Sequence, residues 1–344
     1  MGRTQISMKD LDSLCRRVAD HVRERDMENE DWEKGTAING LLATGEREYV
    51  DLARRLVDRA VETQTDDGKL GYDDPKPWMP GEDPHRAQCE PATLGHGVLS
   101  FYERTGEDRY RDAAQHQYEY LQENAERTTD GGIAYSTGPV ELWVDSIYMV
   151  CPFFARYAAT TDDPEAFDEA VRHITVQATH LQEPTTGLFR HEWRETPNTF
   201  PEGSLWARGN GWALAGMVDT LSHLPDDHSD RETVEDLFTT QAAALLERQE
   251  DCGLWHHILD YRDSPLETSA TLQYAYAFAR GVDQGLLDDE YLAAARRAVD
   301  VCRGMVDEDG RVRRVAVPPG GPDAPLGTTS YGQGWFLMAA DQFR

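Results

Sequence analysis

A chain of 344 residues with 39% hydrophobic side chains can bury a sizeable core, as one large domain or two ordinary ones. Its 63 acidic residues against 34 basic ones give a formal net charge of -29, which argues against nucleic acid or an anionic membrane as a partner, because phosphate binding needs a basic face. No run is long and apolar enough to span a bilayer, residues 1–20 hold no apolar signal core, and the five scattered cysteines (Cys15, Cys89, Cys151, Cys252 and Cys302) form no C-x-x-C pair, so the expectation is a cytoplasmic protein with reduced thiols. The acidic surface fits either a salt-adapted protein or an ordinary solvated one.

Taken in order, the chain repeats itself about every 60 residues: a charged amphipathic segment, a glycine-marked turn, then a weakly charged segment. The charged segments are residues 8–25, 48–64, 108–125, 164–181, 229–249 and 289–306. The second carries Tyr49, Leu52, Ala53, Leu56, Val57, Ala60 and Val61, the stripe of a half-buried helix. The segments between them, residues 32–43, 91–104, 143–159, 211–224, 268–281 and 332–343, have few charges and many small residues, among them Gly95, Gly97, Ala213, Ala215, Gly216, Ala275 and Ala277. A helix with little charge on any face is buried all round, and small residues let such helices approach closely. Strand patterns are nearly absent; residues 132–135 and 254–257 are short extended pieces expected in loops. Six amphipathic helices alternating with six buried ones predict an all-α barrel, an inner ring within an outer ring. An open solenoid would need a polar cap, but the last segment is a buried one. No Ser-, Pro- or Gly-rich linker divides the chain, so residues 1–344 read as a single domain.

In such a ring the loops leading into the buried helices form a pocket at one end. Those lead-ins are rich in polar and aromatic residues: His85, Arg86 and Glu90; Trp143 and Asp145; His191, Trp193, Trp206, Arg208 and Trp212; Trp255, His256, His257 and Glu267; Thr328, Thr329, Tyr331 and Gln333. Asp145 stands among Trp143, Val144, Ile147, Tyr148 and Met149. Two readings are open for it. It caps a helix, accepting hydrogen bonds from first-turn amides, or it is a partly desolvated carboxyl able to carry a proton near neutral pH. The stretch from Trp206 to Trp212 is either a glycine turn with core tryptophans, or a sugar platform with Arg208 forking onto a carboxylate. His191 is either a satisfied structural histidine or a substrate donor. His256-His257 lacks metal-ligand spacing, and no nucleotide or phosphate motif occurs, so neither metal nor cofactor is expected.

These stretches resemble the unsaturated glucuronyl and rhamnogalacturonyl hydrolases, glycoside hydrolase families 88 and 105. The resemblance runs from Trp32-Glu33-Lys34-Gly35 onward and is carried by Leu142-Trp143-Val144-Asp145-Ser146-Ile147-Tyr148-Met149, Gly187-Leu188-Phe189-Arg190-His191, Trp206-Ala207-Arg208-Gly209-Asn210-Gly211-Trp212, Leu254-Trp255-His256, Leu266-Glu267-Thr268-Ser269-Ala270 and Tyr331-Gly332-Gln333-Gly334. Together they are specific; each alone is weak. The Arg-Gly-Asn-Gly-Trp form is more similar to the rhamnogalacturonyl branch. The resemblance implies an (α/α)6 barrel and removal of a 4,5-unsaturated galacturonic or glucuronic acid from the non-reducing end of a small lyase-generated oligosaccharide, such as an unsaturated disaccharide. The C4=C5 vinyl ether is hydrated rather than the anomeric carbon attacked. Asp145 matches the residue that protonates C4 and helps activate water. Glu90, Trp143, His191, Trp206, Arg208, Trp212 and His256 match substrate-holding positions. Two departures stand out: Glu90 where an Asp is usual, and Ser146 where a second Asp is common. The alternatives are an inverting glycosidase using Glu90 and Asp145, a sugar epimerase, and a non-catalytic carbohydrate-binding protein. Either a monomer or a homodimer is compatible with the sequence. The aglycone would be chosen by loops at residues 73–87 and 195–204.

Overall fold

A computed structural model describes residues 8–27, 32–71, 85–318 and 320–344. Much of the expected loop at residues 73–87 lies outside them. Twelve α-helices account for the described architecture: α1 (Met8–Glu24), α2 (Trp32–Ala43), α3 (Arg47–Glu62), α4 (Ala92–Thr105), α5 (Asp108–Glu119), α6 (Ser146–Thr161), α7 (Pro164–Leu181), α8 (Ala207–Leu221), α9 (Arg231–Leu246), α10 (Thr268–Asp283), α11 (Asp289–Arg303) and α12 (Ser330–Asp341). The even-numbered helices are the weakly charged segments of the sequence, and they close a ring. Each packs on the next, α2 on α4 on α6 on α8 on α10 on α12, and α12 packs back on α2. The odd-numbered helices lie outside with their apolar stripes turned inward. This is the (α/α)6 barrel expected from the repeat.

The seam between first and last inner helices shows why small residues recur there. A Cβ on Gly40 of α2 would stand 2.5 Å from the Gly334 Cα of α12, so the two backbones touch. Gly216 of α8 is similar, since a Cβ there would lie 2.7 Å from the Tyr148 amide nitrogen of α6. Close approach of this kind brings the facing backbones into van der Waals contact at these positions. The axis is filled by Trp212, Tyr148, Trp335 and Trp32, whose rings meet at centroid distances of 5.1 to 5.7 Å.

Three two-stranded antiparallel ribbons join the lead-in loops: β1 (Glu141–Trp143) with β2 (Glu192–Arg194), β3 (Trp255–His256) with β4 (Leu266–Glu267), and β5 (Val315–Ala316) with β6 (Leu326–Gly327). Two helix boundaries differ from the sequence reading. Helix α6 begins at Ser146 rather than at Trp143 because Trp143 pairs with Glu192 as a strand residue. Helix α8 begins earlier than expected, at Ala207, because Trp206 supplies the extended residue before it. Among the described residues no helix is long and apolar enough to cross a membrane.

Candidate active site

Six helix N-termini face one end of the ring, and their lead-in residues touch one another in a chain. Trp32 of α2 tilts against Tyr331 of α12, with ring centroids 4.8 Å apart. The Arg208 guanidinium of α8 lies 4.8 Å from the Tyr331 ring and 4.3 Å from that of Trp206. Trp206 is 4.6 Å from His191, and His191 is 5.4 Å from Trp143. Trp143 stacks on Tyr135 at 4.5 Å, and the Tyr135 hydroxyl donates to Glu90 Oε1 at 2.8 Å, in the turn before α4. Seven of the sequence-selected residues therefore belong to one connected end of the barrel: Glu90, Trp143, Asp145, His191, Trp206, Arg208 and Trp212. Trp212 sits deepest, in the aromatic plug beneath.

Asp145 occupies the position before the first turn of α6, yet its side chain makes no capping hydrogen bond. The capping reading is thereby corrected. The reason lies in the backbone: Asp145 is already helical (φ -55°, ψ -34°), which turns its carboxylate away from the first-turn amides. The residue is 6% exposed, and its Oδ2 lies 3.3 Å from His191 Nε2. Neither atom has a hydrogen bond of good geometry to any other described residue.

His191 is held from the other side by carboxylates. Its Nδ1 is 3.1 Å from Glu202 Oε2 and 3.7 Å from Glu192 Oε1. Burial alone would depress the imidazole pKa, but contacts with Asp145 and Glu202, reinforced by Glu192, push it up to about 9. Burial lifts the Glu192 carboxyl to about 7, against the pull of His191. Burial also opposes ionisation of Glu202, but hydrogen bonds from His191, the Ser204 amide and the Ser204 hydroxyl overrule it and lower its pKa. Both ring nitrogens of His191 thus face protein carboxylates. Glu202 and Tyr135 were not singled out from the sequence. Both lie in loops with no periodicity, and their partners are 11 and 45 residues away.

Ser146, directly after Asp145, is tied down by neutral partners. Its hydroxyl donates to the Trp143 carbonyl at 2.8 Å and lies 2.9 Å from His173 Nε2. His173 Nδ1 accepts from the Ile133 amide at 3.2 Å, so the ring proton sits on Nε2 and points at Ser146. Burial pushes this imidazole down to about 3 and keeps it neutral. A neutral network therefore anchors the turn behind Asp145.

Arg208 is 1% exposed. Its Nη1 donates to the Ala316 carbonyl at 2.6 Å and to the Tyr331 hydroxyl. Gly320, with φ at +108°, lies against Trp206 and the Arg208 guanidinium, and a Cβ there would collide with both. His257 Nε2 holds this segment through the Gly321 carbonyl at 2.9 Å. His256 is not brought to the cluster. Its Nδ1 lies 2.6 Å from the Ser264 carbonyl and its Nε2 lies 3.4 Å from Glu250. Successive residues of an extended chain point to opposite faces, so it is His257 that meets Trp206, at 6.3 Å, while His256 turns away. Glu267 is fully buried but serves as a cap: it accepts from the amides of Ser269, Ala270 and Ala316 at 2.6 to 2.8 Å. Among the described residues, no three His, Cys, Asp or Glu side chains are grouped as metal ligands.

Residues 9–343 match the family model described as Glycosyl Hydrolase Family 88. The chain is 29% identical over 296 residues to the unsaturated rhamnogalacturonyl hydrolase YesR of Bacillus subtilis, covering 83% of this chain and 79% of that one. In structure it is similar to a possible member of the GH105 family from Klebsiella pneumoniae (TM-score 0.85, 22% identity, 100% of this chain and 95% of that one). It is also similar to the unsaturated glucuronyl hydrolase of Bacillus sp. GL1 (TM-score 0.72, 18% identity, 96% and 94%).

Proposed function

The chain belongs to glycosyl hydrolase family 88, and from that premise we propose that it is the glycosidase that removes a 4,5-unsaturated uronic acid from the non-reducing end of a short, rhamnogalacturonan-derived oligosaccharide. The observation that carries this reading is the Asp145–His191 pair. A buried carboxylate oxygen and a buried imidazole nitrogen face each other at 3.3 Å, with no capping or structural bond to account for the carboxylate. Vinyl-ether hydration needs one carboxyl that gives a proton and then takes one back, with no metal or nucleotide.

Asp145 protonates C4 of the C4=C5 bond, and the positive charge that develops at C5 is shared with the ring oxygen. Water adds to C5 as Asp145 accepts its proton. The hemiketal opens and expels the aglycone. Arg208 offers the charge that a uronate carboxylate requires, so an acidic protein can bind an anionic sugar through its local field. The buried Trp206 indole N–H has no acceptor among the described residues, and a sugar oxygen would supply one. Phe200, 44% exposed in the loop that carries Glu202, with the Arg190 guanidinium 5.0 Å from its ring, offers a face to the aglycone.

The preference for rhamnogalacturonan rests on the likeness to YesR and on the Arg-Gly-Asn-Gly-Trp sequence. Its test is competition between unsaturated galacturonyl-rhamnose and unsaturated glucuronyl-glucosamine disaccharides, with products read by mass spectrometry and NMR. A ring-opened keto acid plus free rhamnose, formed at least tenfold faster than from the glucosamine substrate, is expected for one well-matched pocket. Equal or reversed rates would contradict the rhamnogalacturonan assignment. An intact uronic acid among the products would contradict vinyl-ether hydration.

A further inference from the structure

The contacts of His191 carry a claim beyond the role of Asp145, though one that rests on the hydrolase reading. Glu202 is an acceptor only. Its Oε1 takes the Ser204 amide and its Oε2 takes the Ser204 hydroxyl, each at 2.8 Å. The imidazole nitrogen facing Oε2 at 3.1 Å must therefore carry a proton. With Nδ1 committed, Nε2 can meet the Asp145 carboxylate only if one proton lies between them, on either Nε2 or Oδ2.

We propose that Glu202 is a positioning residue that fixes His191 with its proton-bearing Nδ1 toward Glu202 and its Nε2 toward Asp145, so that His191 supplies the proton Asp145 delivers to the substrate. The step balances. The shared proton passes from Nε2 through the Asp145 carboxyl to C4, forming the C4–H bond as the C4=C5 π bond breaks. Water forms the C5–O bond and gives a proton to Asp145, which returns it to Nε2. Water is the only co-reactant, and His191 ends as it began. Such a relay would let a carboxyl close to an imidazolium still act as an acid, because the proton is held by the pair rather than by either member.

The charged groups around His191 are Asp145 before α6, Glu192 on β2 and Glu202 in the following loop. Behind Glu192 stands Glu141 of β1, held by Arg194 at 2.6 Å. Arg208 lies against Trp206, the ring that also packs on His191. The carboxylates outnumber the cations, so loss of Glu202 must lower the imidazole pKa from about 9.

The experiment uses the full chain as wild type, Glu202→Gln and Glu202→Asp. Rates on an unsaturated galacturonyl disaccharide are followed from pH 5 to 10, and the His191 imidazole is titrated by 15N NMR. In Glu202→Gln the alkaline limb and the imidazole titration should both move down by about one pH unit or more. At pH 8, kcat should fall roughly tenfold or more with KM little changed. Glu202→Asp should recover part of both shifts. Should Glu202→Gln fail to fold, the Asp variant alone decides, since its shorter reach must still move the imidazole titration. Coincident limbs and an unmoved titration would overturn the relay while leaving the hydrolase reading intact. A wild type inactive on every unsaturated uronide would overturn both.

Discussion

At the scale of single residues, what distinguishes this site is that its charged groups are held by the protein before any ligand arrives. Arg208 is wedged among Trp206, Tyr331 and Trp32 and tied to the Ala316 carbonyl. A planar guanidinium can stack and fork at once, whereas an ammonium cannot. Arg208→Lys should therefore raise KM for the unsaturated disaccharide by roughly tenfold or more, with a smaller change in kcat, as measured by initial rates. A fall in kcat alone would place Arg208 outside the ground-state contacts. The sequence made the residue types of this site legible, because Trp, Arg, His and a lone carboxylate in apolar company are unusual lead-ins to buried helices. It did not make their pairing legible. Glu202 meets His191 across a loop, and nothing in residues 195–204 signals which carboxylate turns inward. The choice between His256 and His257 depends on the parity of a two-residue strand, too short to leave a pattern.

At the scale of elements, the inner helices owe their packing to missing side chains. The α2–α12 seam is the contact that closes the ring, and it has no room at Gly334, where a Cβ would press on the Thr36 carbonyl and the Ala37 Cα. Gly334→Ala should destabilise the fold by about 1–3 kcal/mol, despite the better helix propensity of alanine. A chemical-denaturation midpoint equal to or above that of the wild type would contradict the tight seam. The alternation of charged and uncharged helices was readable because burial on all sides excludes charge, a signal that persists over a dozen residues. Of the ribbon strands only β3 was readable, inside the extended piece at residues 254–257; the others were not, because strands of two or three residues show no period and Trp143 suits a helix or a strand equally.

At the scale of the whole molecule, buried histidines couple the barrel to pH. Burial holds His96 and His173 at about 3, far below the value of about 6.5 of an exposed imidazole. The unfolded chain takes up these protons first. The stability linked to them is therefore full above about 6.5 and is lost as pH falls toward 3, on the order of 2 kcal/mol per histidine by pH 5. His191 acts in the opposite sense. Raised to about 9, it contributes stability below about 6.5 that is lost as pH rises through 9. The thermal midpoint should thus fall by several degrees from pH 7 to pH 5, and His173→Gln, which can keep both hydrogen bonds, should flatten that slope. An acid slope unchanged in the variant would remove His173 from the explanation.

The most direct test follows the ultraviolet absorbance of the conjugated double bond in an unsaturated rhamnogalacturonan disaccharide, with its saturated counterpart alongside, for the wild type and Asp145→Asn. The absorbance should vanish only for the unsaturated sugar and only with the wild type, the variant being slowed by about a hundredfold or more while folded. Undiminished loss of absorbance in Asp145→Asn would remove Asp145 from the chemistry. Cleavage of the saturated sugar at a comparable rate would contradict vinyl-ether hydration itself.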